Sequence, residues 1–306
     1  MRYLAFIFCF FTLSSLFCQI HEEDKLNCKI NCAPEIHKEN ANYIHEQMQN
    51  DSILQVLTEA DSLRFPIRFV FVKEASTITK EDSLNIKSVL HGLNRAFKDT
   101  KFVFSQHEIE LLRSATRIED LSRNENNKYI TFSQKYDKRD MITLYILDHK
   151  KDFCDITETT VSCSRTGGFS FILSSITNNI VISSFDLRDP KIVAHEFGHF
   201  FGLYHTFEEG LYGKDDFDEE RCYLTGDRIC DTPPDPGTIF EIYVNYSICE
   251  MEGFVDPLGN EYKPLIENYM SYYKPCYLRE YTFTPQQEFA MKIAATLHIR
   301  KKFSRP

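Results

Sequence analysis

Residues 195–205 read His-Glu-Phe-Gly-His-Phe-Phe-Gly-Leu-Tyr-His. On a helix, His195 and His199 stand four positions apart and share one face, a single turn from each other, so both imidazoles reach the same metal ion. Glu196 directly follows the first of them. Its carboxylate can stand beside the ion's open position without binding the ion, where a general base is needed. Gly202 is free to take a positive φ, so the helix can end there and the chain can turn back to bring His205 to the same ion. Three neutral imidazoles leave a tetrahedral zinc one position for water, the arrangement of a reacting site rather than a closed structural one. A chance match to three His, one Glu and one Gly at fixed spacing is on the order of one in tens of thousands for a chain of ordinary composition.

The elements that must hold these residues carry their own signals. Asp189 is placed to cap the helix and Pro190 to occupy its first turn. Upstream, Phe65 to Val72 is a β-rich run, and Pro66 near its start predicts that the strand, and with it the folded domain, begins there. Thr79 is placed to cap a helix whose apolar positions Leu84, Ile86, Val89, Leu90, Leu93 and Phe97 recur at helical spacing and pack on the sheet. Lys101 to Phe104 and Met141 to Leu147 read as strands joined by a polar, Asn-rich connection. Gly167-Gly168 followed by Phe169 to Leu173 reads as a strand near the sheet edge, and Asn179 to Ser184 as the next. An edge strand offers unpaired backbone groups to an extended peptide, and an ordinary edge strand has the same sequence. Thr284-Pro285 opens a last helix, Gln286 to His298.

The central stretch matches the metzincin signature HExxHxxGxxH at every specified position. Leu203, His205, Thr206 and Phe207 form a Leu-x-His-Thr-Phe ending that resembles the pappalysin (cytophagalysin) branch. Gly226-Asp227, Asp231-Thr232-Pro233, Asn268-Tyr269-Met270-Ser271-Tyr272 and Phe283-Thr284-Pro285-Gln286 follow in that family's order, so the likeness runs over residues 165–290. The resemblance implies an α/β (α+β) fold: a metzincin-like zinc protease catalytic domain in which a twisted mixed sheet and an active-site helix stand above a loop-rich, disulfide-bonded C-terminal subdomain. The upper half would span residues 62–203 and the lower half 204–306, with the cleft between them. It further implies one catalytic zinc on His195, His199 and His205, with Glu196 as base. Met270 would form an apolar floor beneath the ion, Tyr272 would donate a hydrogen bond to the developing oxyanion, and the edge strand would run above the site. Pappalysin-like enzymes hold calcium near their Asp-Thr-Pro region, which makes Asp227, Asp231 and Thr232 calcium candidates with hard oxygen ligands. The acidic run Glu208, Glu209, Asp215, Asp216, Asp218, Glu219 and Glu220 reads as solvated surface, with calcium as the alternative.

A net charge of -10 argues against nucleic acid or an anionic membrane as partner, since both need clustered Lys and Arg. The 306 residues, 42% of them hydrophobic, suffice for one large or two modest cores. Arg2 precedes an apolar run from Tyr3 to Phe17, broken only by Thr12, Ser14 and Ser15, which fits a signal peptide over residues 1–19 and hence secretion. The run falls short of the roughly 20 residues that span a bilayer, so no transmembrane segment is expected. Cys18 leaves a lipid anchor open, but Phe17 is bulky where such a signal wants a small residue. Residues 20–61 are polar and read as a mature N-terminus or pro-segment, with some helix from Ala41 to Ala60. A thiolate from Cys28 or Cys32 there could hold a zinc enzyme latent, or the two could pair with each other. Of ten cysteines, setting aside Cys9 and Cys18 leaves eight, an even number suited to an oxidising compartment. Cys154 and Cys163 bracket a short polar loop. Cys222, Cys230, Cys249 and Cys276 are expected to form two disulfides among themselves, in a segment expected to lack a continuous apolar core. The chain has no Trp beside 26 Phe and 16 Tyr.

The expectation is a secreted zinc endopeptidase acting on protein or peptide substrates. One rival is an extracellular binding or adhesion module with structural zinc. It would tolerate loss of Glu196 and would want a fourth ligand, and the sequence offers neither sign. The other rival is a zinc hydrolase of non-peptide amides or esters, which the motif does not separate from a peptidase.

Overall fold

Phe65 to Val72 is apolar at nearly every position, the pattern of a strand covered on both faces. In the computed structural model this run is an interior strand of a five-stranded sheet, second from one edge. The structure describes residues 62–297 apart from 123–127, 139, 150–153, 157–160, 164–165, 173–176, 209–221 and 277–278, together with parts of 43–57 and residues 302–303. The signal-like segment, Cys28, Cys32 and residues 209–220 of the acidic run lie outside the described residues.

The sheet comprises β1 (Leu63–Lys73), β2 (Phe102–Arg113), β3 (Ile142–Leu147), β6 (Gly168–Ser170) and β7 (Asn179–Ser183), in the order β2-β1-β3-β7-β6. Four strands are parallel, and β6 joins the edge antiparallel to β7, so the sheet is mixed as expected. Between β3 and β6, the short strands β4 (Cys154–Ile156) and β5 (Val161–Cys163) form a hairpin that sets Cys154 opposite Cys163.

Side chains alternate cleanly between two layers. Phe65, Ile67, Phe69 and Phe71 of β1, with Ile142, Leu144 and Ile146 of β3, enter the larger core. Val70, Val72, Tyr145, Leu147 and Val181 point to the opposite face. The larger core is covered by α1 (Lys80–Ala96), α4 (Pro190–Phe200) and α5 (Pro285–Leu297). Thr79 and Asp82 form a capping box at the start of α1, which carries Ile86, Val89 and Leu93 into the core. The second face is covered by α2 (Ile118–Ser122) and α3 (Lys128–Tyr136), through Ile118, Leu121, Tyr129 and Phe132.

Three sequence expectations are corrected here. First, β1 begins at Leu63, and Pro66 sits inside it, just ahead of Ile67 where pairing with β3 starts, so its missing N–H interrupts no bond on that side. Second, β2 runs on to Arg113 through residues read as a polar connection. It is the outer strand, and its partly exposed second half pairs with β1 to the end, alternating Glu108 and Glu110 with Ile109 and Leu111, which pack against the larger core. Third, α2 and α3 lie in the stretch read as Asn-rich linker.

The abundance of Phe finds its place around α4. Phe197 and Phe201 meet Phe65, Phe97, Phe102 and Phe104 at ring separations near 5 to 6 Å, for example 5.1 Å between Phe65 and Phe201 and 5.2 Å between Phe104 and Phe197. Such edge-to-face and tilted pairs add about 0.5–1.5 kcal/mol each beyond burial, and here they fix the orientation of α4 on the sheet.

Between α4 and α5 the described residues are loop-rich, with the small hairpin β8 (Val244–Asn245) and β9 (Glu250–Met251) and a 3-10 turn over Thr238–Tyr243. Disulfides join Cys222 to Cys230 and Cys249 to Cys276, the pairing among four expected from sequence. The segment does have an apolar centre of its own, contrary to expectation: Met251, Phe254, Tyr262, Ile266 and Tyr273 are buried together. Aromatic residues spaced irregularly through loops supply it, which no helical or strand period reveals.

Candidate active site

Asp189 caps α4 by accepting from the Lys191 N–H at 2.9 Å, with Pro190 at its first turn. The helix ends where the sequence ends it. Gly202 takes φ +104°, the Leu203 N–H returns to the Gly198 carbonyl at 3.0 Å, and the chain reverses. His205 comes back over the helix. Its Nε2 lies 3.0 Å from that of His199, which lies 3.1 Å from that of His195. Ligand nitrogens about 2.0–2.1 Å from a tetrahedral zinc stand about 3.3 Å from one another, so the trio fits the ion. Among the described residues, these three form the one group of three or more His, Cys, Asp or Glu whose ligand atoms lie within 4.8 Å of each other.

The other ring nitrogens are occupied. His195 Nδ1 donates to the Tyr269 carbonyl at 2.8 Å and His199 Nδ1 to that of Leu203 at 2.7 Å. These bonds select the tautomer that leaves Nε2 for a metal. His205 Nδ1 stands 3.5 Å from a carboxylate oxygen of Glu208. Burial, then repulsion among the imidazoles, holds His195 well below its ordinary acid range and His199 down at about 3, so both are neutral, the form that binds a cation.

Glu196 is buried, and its Oε2 has no hydrogen-bond partner. Burial raises its carboxyl to about 8, and the charge of a nearby dication would draw it down again. Its carboxylate thus has a buried oxygen with no protein partner, on the residue that directly follows His195. The strand β6 crosses just above: Ser170 Oγ donates to the Glu196 carbonyl at 2.7 Å, and a Cβ on Gly168 would meet Glu196 Cγ at 3.0 Å. Only glycine lets the edge strand lie this close.

Met270 is fully buried beneath the helix, held by its N–H on Asn268 Oδ1 at 2.8 Å and by its carbonyl, which accepts from Thr206 N at 3.3 Å. Tyr272 is 48% exposed, with its ring centroid 5.4 Å from that of His195 and 4.8 Å from that of His205. Phe207 stacks on His205 at 4.7 Å. The structure therefore brings His195, Glu196, His199, His205, Met270 and Tyr272 together.

Asp227, Asp231 and Thr232 are elsewhere and engaged with the protein. Thr232 Oγ1 donates to Asp227 at 2.8 Å, and the Ile229 N–H donates to the same carboxylate at 3.0 Å. Asp231 accepts from Thr284 Oγ1 at 2.6 Å and from the Gln286 N–H at 2.9 Å, at the start of α5. Calcium has no cluster of carboxylates here among the described residues. Sequence reading missed Asp235, which is buried against Thr206 and Tyr273, and the place of Glu208 beside His205. Three-residue spacing from His205 was the only cue to the latter.

A family model described as Pregnancy-associated plasma protein-A, a peptidase family, matches residues 124–295, more than half of the chain. The chain belongs to this family. An extracellular metalloprotease of Colletotrichum graminicola is 36% identical over 110 residues, 36% of this chain and 31% of that protein. One from Podospora anserina is 36% identical over 95 residues, 31% of this chain and 25% of that protein. The chain thus spans a quarter to a third of the length of these curated relatives. The solved structure of mature mirolysin from Tannerella forsythia in complex with a cleaved peptide is 16% identical, covering 80% of this chain and 96% of that one with a TM-score of 0.49. As in a member of this family, the motif helix, the His205 return and the Met270 turn all lie inside the matched residues.

Proposed function

We propose that this chain is a secreted zinc endopeptidase that hydrolyses internal peptide bonds of protein substrates, with Glu196 as general base. The observation that carries the reading is the convergence of three buried imidazole Nε2 atoms, with a buried, unpaired carboxylate oxygen on Glu196, the residue that directly follows His195. When bound, zinc supplies a Lewis acid that polarises the scissile carbonyl and brings the acidity of a water near neutrality. His195, His199 and His205 would hold the ion through their Nε2 atoms. Glu196 takes the proton from the attacking water and returns it to the leaving amine, a service worth about 10² to 10⁴-fold. The Tyr272 phenol donates a hydrogen bond to the oxyanion as it develops. The β6 edge, unpaired on its outer side among the described residues, receives an extended substrate backbone.

Membership of a peptidase family favours this over a binding module. The relatives' designation as extracellular supports export, as do the cysteine pairings. No helix among the described residues is long and apolar enough to cross a membrane.

Digestion of a denatured protein and of a peptide library, read by mass spectrometry, tests the reading. Internal cleavage that a chelator abolishes and added zinc restores is expected. Hydrolysis of simple esters or amides with no cleavage of peptides would overturn it.

A further inference from the structure

Asp235 lies in a loop of the lower subdomain, 2% exposed. Oδ2 accepts from the Thr206 hydroxyl at 2.6 Å, and Oδ1 accepts from the Tyr273 phenol at 2.8 Å and the Gly237 N–H at 2.9 Å. All three partners are donors, a set matched to a carboxylate. A carboxylate is tolerated this deep in the protein only when its lone pairs are satisfied, as these three donors satisfy them.

The residues it joins adjoin the site. Thr206 directly follows the ligand His205, and Tyr273 directly follows Tyr272. Tyr273 is fully buried and is gripped at both ends. Its phenol is held by Asp235, while its carbonyl accepts from the Lys191 ammonium of α4 and from the Tyr281 phenol at 3.0 Å. With Tyr273 immobilised, the neighbouring Tyr272 ring is held against His195 and His205. With Thr206 fixed by its hydroxyl and by its N–H on Met270, the His205 ring has one approach to the other two imidazoles.

We propose that Asp235 is a positioning residue that bridges the two parts of the site, holding His205 on the metal through Thr206 and the Tyr272 phenol beside it through Tyr273. Only the kinetic arm of this proposal rests on the peptidase reading. The two branches separate chemically: the Thr206 branch bears on metal affinity and the Tyr273 branch on turnover. Asparagine preserves the shape, and its amide can donate to the Thr206 hydroxyl while its oxygen serves Tyr273 and Gly237, so it should restore most of what alanine loses.

The test uses the full chain with Asp235→Ala, Asp235→Asn, Thr206→Val and Tyr273→Phe. Zinc affinity is measured on metal-free protein by competition with a chromogenic chelator, and kcat and KM are measured on zinc-loaded protein with a peptide. Asp235→Ala is expected to lose about 10- to 100-fold in zinc affinity, the range for outer partners of metal ligands, and to lose at least about tenfold in kcat with little change in KM. Thr206→Val should lose zinc affinity, Tyr273→Phe should lose kcat at wild-type zinc affinity, and Asp235→Asn should recover most of both. A folded Asp235→Ala protein with wild-type zinc affinity and kcat would overturn the proposal. If Asp235→Ala does not fold, wild-type behaviour of Thr206→Val and Tyr273→Phe in both readouts overturns it equally. Should the wild type bind zinc yet cleave no peptide, the peptidase reading fails, and the zinc affinities of Asp235→Ala and Thr206→Val still decide the bridge.

Discussion

Gly198, one residue before His199, shows how tightly the site is built. A Cβ there would stand 2.4 Å from Met270 Sδ and 3.3 Å from its Cε. Alanine would gain up to about 1 kcal/mol in helix propensity, whereas overpacking costs about 1–3 kcal/mol. The contact should win, because Met270 is fully buried and its backbone is fastened to Asn268 and Thr206. Gly198→Ala is therefore expected to lower stability to urea by about 1–2 kcal/mol and to weaken zinc binding. An equal or higher unfolding midpoint with unchanged zinc affinity would show that Met270 is not held where the structure has it.

Among the elements, α5 depends on a residue far away in sequence. Thr284 and Gln287 make a local capping pair, and Asp231 adds two acceptors for Thr284 Oγ1 and the Gln286 N–H. Asp231→Ala should cost about 1–2 kcal/mol, the range of a lost helix cap, in calcium-free, zinc-containing buffer. A cost seen only when calcium is present would assign Asp231 to a cation instead. Further along α5, burial and then the neighbouring Asp99 raise the Glu288 carboxyl to about 7. A carboxyl raised above its unfolded value near 4.5 leaves the fold unpenalised below that pH and weakens it as pH rises through 7. Glu288→Gln is thus expected to stabilise the protein at pH 8 and to make little difference at pH 4.5. Taking the difference from wild type at each pH cancels the titration of the zinc ligands, and a gain larger at pH 4.5 would contradict the sign. What the sequence disclosed follows the same division between local and distant. The caps of α1 and α4, the local Thr284 and Gln287 pair of α5 and the turn at Gly202 rest on neighbours within a few residues, and the strand β7 on its own apolar run, and all were readable. The outer half of β2 was hidden because its charged residues alternate with the apolar Ile109 and Leu111, and α2 and α3 because, at 5 and 9 residues, they show the helical period over one or two turns alone. Asp235 was hidden because its partners lie 29 and 38 residues away.

At the scale of the whole molecule, the site joins two regions of different construction. His195, Glu196 and His199 ride on a helix fastened by phenylalanines to the mixed sheet, and His205 leads into loops held by disulfides and a small aromatic centre. The last helix returns to the main core with Ala290, Met291 and Ile293, so sheet, motif helix and Met270 turn are clamped from both ends of the chain. In such a frame, changing Glu196 should leave the metal in place. The most direct test of the central claim is cleavage of casein by Glu196→Ala protein whose zinc has been counted by elemental analysis, with His199→Ala alongside. His199→Ala should lose both zinc and cleavage. Glu196→Ala should keep about one zinc per chain and cleave at least roughly a hundredfold more slowly than wild type. Cleavage at close to the wild-type rate with the zinc intact would contradict the account, since this carboxylate would then not be the base.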